Sequence, residues 1–177
     1  EIDNWDSLIL KNPDGGNVFS SLEYAEIKKL TAYTPLFIVV GNVAVTVLEK
    51  NTLPFGKLWY LPKGPGVDSA KELFSCLEAL KPLAKKANAF VIRVETELPS
   101  STAPTLKRFG LKKAAPIIPN PSTITLDIHD DLDEVITRLP QKGRHAIRRA
   151  ERDGVTVSKV DVSEANAKIM YTLLSET

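Results

Sequence analysis

The chain has 177 residues, 43% hydrophobic and 25% charged, which is the mix of a globular protein and excludes a disordered tail. No apolar run approaches the ~20 residues that cross a bilayer, and the opening Glu1-Ile2-Asp3-Asn4-Trp5 has neither an initiator Met nor a signal-peptide pattern. The net charge of +1 hides an asymmetry: the segment Lys142 to Arg152 holds five cations and one acid, so the rest of the chain is net negative.

The loop Asn12-Pro13-Asp14-Gly15-Gly16-Asn17 carries turn chemistry. Ser20 or Ser21 can then cap a helix over 21–31, with Glu23 near the capping-box position and Leu22, Tyr24, Ile27 and Leu30 as its apolar face. Pro35 ends that helix. The runs Leu36–Val40 and Val43–Leu48 flank Gly41-Asn42, the signature of a two-residue hairpin, and a third strand follows over Lys57–Leu61.

Pro62-Lys63-Gly64-Pro65-Gly66 predicts a stiff bend, and Ser69 to about Ala87 predicts a long helix with Leu73, Leu77, Leu80 and Ala84 on its buried face. Pro82 is a potential kink. Ala89–Glu95 reads as a buried strand, and a helix over 100–108 ends at Gly110, which suits a left-handed cap.

Pro116, Asn120 and the prolines at 119 and 121 mark an interdomain linker. Thr123–Ile128 is a predicted strand, Asp130-Asp131 a predicted cap for the next helix, and Pro140 to Gly154 a basic helix. The alternating Val155–Val160 predicts a further strand, and a helix from Ser163 runs to Thr177. The expected organisation is a first α/β domain over 1–121 and the first half of a second over 122–177.

The chain lacks a phosphate-binding Gly-rich loop, a Gly-x-Ser-x-Gly elbow and a His-Glu-x-x-His pair. One cysteine, Cys76, excludes an internal disulfide and reads as a small buried hydrophobe, and His129 as a solvated turn residue. With only His129 and His145, no metal site and no cofactor are expected, in a cytoplasmic protein. On a helix, Arg144, Arg148 and Arg152 share one face beside His145 and Arg149, a surface that attracts phosphate or is simply solvated. Lys63 stands on the stiff bend, where a turn alone needs no lysine. Arg93 and Glu95 alternate on one strand and so share a face, either as an internal ion pair or as part of a polar site.

In their order along the chain these segments resemble the Fem-type aminoacyltransferases that build peptidoglycan cross-bridges. The resemblance is carried by Trp5 with the Asn-Pro-Asp-Gly-Gly loop and Phe19–Ala25, by Tyr60-Leu61-Pro62-Lys63-Gly64-Pro65, by Phe90–Glu95, and by Arg144–Val155. It implies two tandem GNAT-like (acyl-CoA N-acyltransferase) domains, the second cut short, so that this segment alone is expected to be inactive. The implied reaction moves an amino acid from aminoacyl-tRNA, the co-substrate, to the stem peptide of a nucleotide-linked or lipid-linked peptidoglycan precursor, with a peripheral approach to the membrane.

By the same resemblance Lys28 binds the precursor's diphosphate, Glu95 lies near the acceptor amine as the catalytic carboxylate, and Lys63 and Arg93 contact substrate. Arg144, Arg148, Arg149 and Arg152 would meet tRNA phosphates. Two alternatives are an acetyl-CoA-dependent N-acetyltransferase, opposed by the lack of an Arg/Gln-x-x-Gly-x-Gly/Ala pyrophosphate loop, and a non-catalytic module that binds RNA or another anionic ligand.

Overall fold

A computed structural model describes residues 2–118, 124 and 126–177. They belong to two compact units, Glu1–Pro121 and Ser122–Thr177. The expected linker prolines at 119 and 121, with Asn120, lie outside the described residues, as do Thr123 and Thr125 of the expected strand.

The first unit is built on one mixed sheet with strand order β1-β2-β3-β4. β1 (Thr34–Val40) and β2 (Val43–Thr52) form the expected hairpin, closed by Gly41 at φ +61° and registered with Val40 opposite Val43. β3 (Gly56–Leu61) adds antiparallel to β2. A helical crossover, α3 (Ala70–Lys86), then returns the chain to β4 (Ala89–Val94), which lies parallel to β3.

The two sheet faces are covered differently because side chains alternate along each strand. Val43, Val45, Val47, Trp59 and Leu61 face α3 and pack with its Leu73, Leu77 and Leu80 into the main core. Ser69 caps α3 by accepting from the Glu72 amide, and the helix continues past Pro82 with Ala84 still buried. Cys76 is buried in α3 among apolar neighbours, which push its thiol up to about 11.

On the opposite face, a short helix that the sequence pattern did not announce, α1 (Trp5–Ile9), packs Trp5 and Ile9 against Ala44. The Trp5 indole donates to Thr46 Oγ1 at 2.9 Å and to the Ser20 carbonyl at 3.2 Å. Asn12 is buried beside them and imitates a strand neighbour. Its Nδ2 donates to the Ala44 carbonyl and its Oδ1 accepts from the Ala44 amide, at 2.9 and 2.8 Å.

α2 (Leu22–Lys29) is capped by Ser21, whose hydroxyl accepts from the Tyr24 amide. Its buried face differs from the expected one. Ala25 is fully buried, whereas Ile27 and Leu30 are 57% and 86% exposed, so the side of α2 that is covered is the one that carries Ala25.

β4 is also less covered than expected. It is an edge strand, and Phe90 and Val91 are exposed. α4 (Ala103–Arg108) ends as predicted at Gly110, with φ +85° and the paired Gly110-to-Lys107 and Leu111-to-Leu106 backbone bonds of a Schellman turn.

The second unit contains α5 (Leu132–Arg138), α6 (Gln141–Arg152) and α7 (Glu164–Glu176). Asp131 stands at the N-cap of α5 without a side-chain capping bond, and Asp130 instead pairs with Arg138. Ser163 caps α7 by accepting from the Asn166 amide. Gly154, at φ +75°, closes α6 with the same Schellman bonding as Gly110, from Gly154 to Glu151 and from Val155 to Ala150.

The strands expected at Thr123–Ile128 and Val155–Val160 are not formed among the described residues, where 124, 126–128 and 155–160 are irregular. Alternation makes a segment competent for a sheet, but a strand persists only beside a hydrogen-bonded neighbour. No described segment of this unit supplies one, and Val157 stays 94% exposed.

Candidate functional site

The strongest convergence of polar side chains in the first unit lies on the sheet face opposite α3. It begins with the C-terminus of α2. Ala32 takes a left-handed φ of +64°, and the Tyr33 amide donates back to the Lys28 carbonyl at 3.3 Å, so the chain folds Tyr33 over the last turn of the helix. Lys28 Nζ then lies 5.2 Å from the Tyr24 ring centroid and 5.9 Å from that of Tyr33. From β2, Lys50 Nζ lies 5.1 Å from the same Tyr33 ring.

Tyr33 in turn meets Tyr60 of β3, with ring centroids 6.5 Å apart. Tyr60 is buried, and its hydroxyl donates to Glu95 Oε2 at 2.5 Å. Burial, with the carboxylate beside it, holds the Tyr60 phenol well above the usual tyrosine range. Glu95 also accepts from the Ile117 amide and, at 3.3 and 3.4 Å, from the Ile118 amide. Both of its oxygens are therefore engaged.

Arg93 stands opposite Tyr60 in the β3–β4 register. It makes no ion pair with Glu95, so that expected alternative does not occur. Among the described residues Lys28, Lys50 and Arg93 have no carboxylate within ion-pair reach.

Lys63 occupies a separate corner, after β3. It adopts φ +49° in the Pro-Lys-Gly-Pro bend, with the Gly64–Pro65 peptide cis, and its side chain is 12% exposed. Its ammonium is 3.9 Å from Glu97 Oε1, and Asn17 Nδ2 donates to Glu97 Oε2 at 2.6 Å. Asp14 closes the corner by accepting from the Gly16 amide. Burial raises its carboxyl above the usual range against the lowering effect of that amide, and the nearby Glu97 and Asp68 charges add to the rise. Gly66 must lack a side chain here, because a Cβ would come within 2.5 Å of Asp14 Oδ1. In this arrangement Lys63 ties the 12–17 loop to the ends of the parallel strands.

The arginines of α6 divide by role. Arg144 Nη1 donates to the Thr137 and Leu139 carbonyls, at 3.1 and 2.5 Å, and so caps the end of α5. Arg149 pairs with Asp153 at 3.3 Å. Arg148 and Arg152 have no such partner among the described residues and remain exposed four apart. His129 is fully solvated, as expected, with Nδ1 2.8 Å from Asp127 Oδ1, and that contact lowers the Asp127 carboxyl.

The described residues contain no group of three or more His, Cys, Asp or Glu side chains able to hold a metal ion. None of their helices is long and apolar enough to cross a membrane. On the α3 side of the sheet, an open cleft of about 570 Å³ between Leu36, Ile38, Trp59 and Leu83 is almost wholly apolar, with Lys86 at its wall.

The chain superimposes on the crystal structure of FemX with a TM-score of 0.71 and 25% sequence identity, over 91% of its own length. This chain has a FemX-like fold. It spans 44% of the FemX chain. No protein-family model and no curated protein matches the sequence. The resemblance read from the ordered motifs is thus supported by a likeness in three dimensions.

The sequence reading missed Tyr33 and Lys50. Both carry a weak local signal: Lys50 breaks the apolar run of β2 on the face away from α3, and Tyr33 immediately follows the turn that ends α2.

Proposed function

We propose that the protein is an aminoacyltransferase that moves an amino acid from aminoacyl-tRNA to the stem peptide of a peptidoglycan precursor. The likeness to FemX carries this reading, and the cationic, tyrosine-lined sheet face suits an anionic acceptor. The meander β1–β3, with its helical crossover to a parallel β4, supports a GNAT-like reading of the first domain, with residues 122–177 opening a second.

The ester of aminoacyl-tRNA is already activated. The acceptor amine attacks its carbonyl carbon, a C–N bond forms, and the C–O bond to the ribose breaks as the hydroxyl leaves with a proton. The protein has mainly to orient two large anions and give the amine proton a path. In this reading Lys28 holds the precursor's diphosphate, and Arg93 and Lys63 help to shape the substrate side. Arg148 and Arg152 meet tRNA phosphates, whereas Arg144 and Arg149 act through helix geometry. Glu95 can take the amine proton only after an amide or the Tyr60 hydroxyl gives way. No cofactor beyond the tRNA co-substrate enters the reaction.

The full polypeptide that carries this chain should, with charged tRNA and either nucleotide-linked or lipid-linked precursor, add one residue's mass to the stem peptide. Absence of transfer to both acceptors, with both substrates bound, would overturn the reading. The complete engagement of Glu95 favours a second one, in which the chain belongs to a module that binds these anions without transfer, and that same outcome would support it.

A further inference from the structure

One end of the first unit combines exposed apolar side chains with unpaired cations. The turn between β2 and β3 carries Leu53 and Phe55, 85% and 70% exposed, and Phe90 at the start of β4 is 52% exposed. Phe55 and Phe90 meet across the gap between these elements, with ring centroids 6.1 Å apart.

The backbone holds the turn against the end of α3. The Lys57 amide donates to the Asn88 carbonyl at 3.0 Å, and the Asn88 amide donates to the Lys85 carbonyl at 3.1 Å. Gly56 must lack a side chain, because a Cβ would come within 2.6 Å of the Asn88 carbonyl oxygen. The last turn of α3 thus brings Lys85 and Lys86, both exposed, to the same end of the unit as the two phenylalanines.

The free charges there have one sign. Across residues 49–57 and 79–94 the single acid is Glu49. Its side chain is only 12% exposed and is held by Lys57 and the Trp59 indole. Lys85 and Lys86 have no carboxylate within ion-pair reach among the described residues. The preceding acid on α3, Glu78, lies more than two helical turns before Lys86 and pairs with Lys81. Exposed rings beside uncompensated ammonium groups match a surface that is apolar within and anionic at its face. A bilayer of anionic lipid has that order.

We infer that the β2–β3 turn and the entry to β4 form a contact surface for an anionic lipid membrane. Leu53, Phe55 and Phe90 enter the boundary between headgroups and acyl chains, and Lys85 and Lys86 meet the headgroup phosphates. The inference deepens the proposed function, since it supplies a surface for approach to a lipid-linked acceptor. It is tested without tRNA or precursor, so its failure is distinguishable from failure of the transfer reading.

The test is co-sedimentation of the full polypeptide that carries this chain with vesicles of phosphatidylcholine, with and without phosphatidylglycerol. Binding should be stronger to the anionic vesicles and should weaken with salt. Leu53→Ser with Phe55→Ser should weaken it ~10- to 100-fold, the loss of two apolar side chains from the interface. Phe90→Ser, on a different element, should weaken it ~10-fold and carries the same test if the turn variant fails to fold. Lys85→Gln with Lys86→Gln should weaken binding to the anionic vesicles ~10- to 30-fold and leave binding to phosphatidylcholine alone unchanged. Val39→Ser, a control at the opposite end of the sheet where Val39 is also exposed, should stay within ~2-fold. Absence of binding to anionic vesicles would overturn the inference. A loss in the lysine variant with none in the Leu53, Phe55 and Phe90 variants would reduce the contact to charge attraction and overturn the inserted tip. Self-association that Phe55→Ser abolishes, without vesicle binding, would assign the patch to a second copy of the chain and would also overturn it.

Discussion

The sheet of the first unit and the helix α6 of the second both present cations, but they hold them in opposite ways. On the sheet, Lys28 and Lys50 come from distant parts of the sequence, are half-buried, and are fixed against Tyr33 by a helix cap and a strand register. On α6 the arginines are adjacent in sequence, exposed, and placed only by helical spacing, except for Arg144, which is spent on capping α5. Charge density in a sequence therefore marks where cations are many. Fixed geometry marks where they are few and aimed. A ligand site needs the second property, whereas an electrostatic surface for a polyanion needs only the first.

If that contrast holds, the largest effects should come from the frame of the sheet. Trp5 is buried, packs on Ala44, and hydrogen-bonds to Thr46, so Trp5→Ala should cost about 3–5 kcal/mol in urea unfolding. Replacing Arg148 and Arg152 together with Gln should leave the same unfolding curve within about 0.5 kcal/mol, as expected of exposed sites. A large loss from the arginine pair would erase the contrast.

Binding should separate the regions next. Lys28→Ala should weaken precursor binding by about 1.5–3 kcal/mol at moderate salt. Unchanged affinity would show that the sheet lysines are as loosely used as those on the surface.

The arginine pair should act through salt and not through a single contact. In the full polypeptide, Arg148→Gln with Arg152→Gln should flatten the slope of log tRNA affinity against log salt by about one to two units and leave precursor binding intact. An unaltered tRNA slope would reduce this face to a solvated surface.

The smallest effect concerns the Lys63 corner. The Asp14 carboxyl is raised in the folded state, so the fold binds its proton more tightly than the unfolded chain does. Its contribution is therefore favourable below the unfolded carboxylate pKa and is lost as pH rises through the raised folded value. Asp14→Asn keeps an oxygen for the Gly16 amide and removes the charge, so it should stabilise the protein slightly at neutral pH, and the gain should vanish in acid. A variant less stable at neutral pH would show that the Asp14 charge supports Lys63 more than burial penalises it.

Much of the first unit was legible because its signals are local. Gly41-Asn42 between two β-branched runs names a hairpin, the Leu73-Leu77-Leu80-Ala84 spacing names a buried helix face, and Gly110 and Gly154 name helix ends. The site residues Lys28, Arg93 and Glu95 came from resemblance to a family and not from periodicity. The partner of Glu95 was invisible because it lies far along the chain: Tyr60 is 35 residues away.

What the sequence by itself determined is therefore the order and type of most elements and the place where positive charge accumulates, since propensity, capping and alternation act within a few residues. Tertiary structure decided the rest. Only packing against the sheet could select Ala25 and not Ile27 as the buried residue of α2, and only a neighbouring strand could turn the alternation of Val155–Val160 into a ladder. Only the hairpin could bring Lys50 to the ring that the local turn at Ala32 already sets beside Lys28, because a contact across 17 residues of chain depends on how strands pair and not on what each prefers alone.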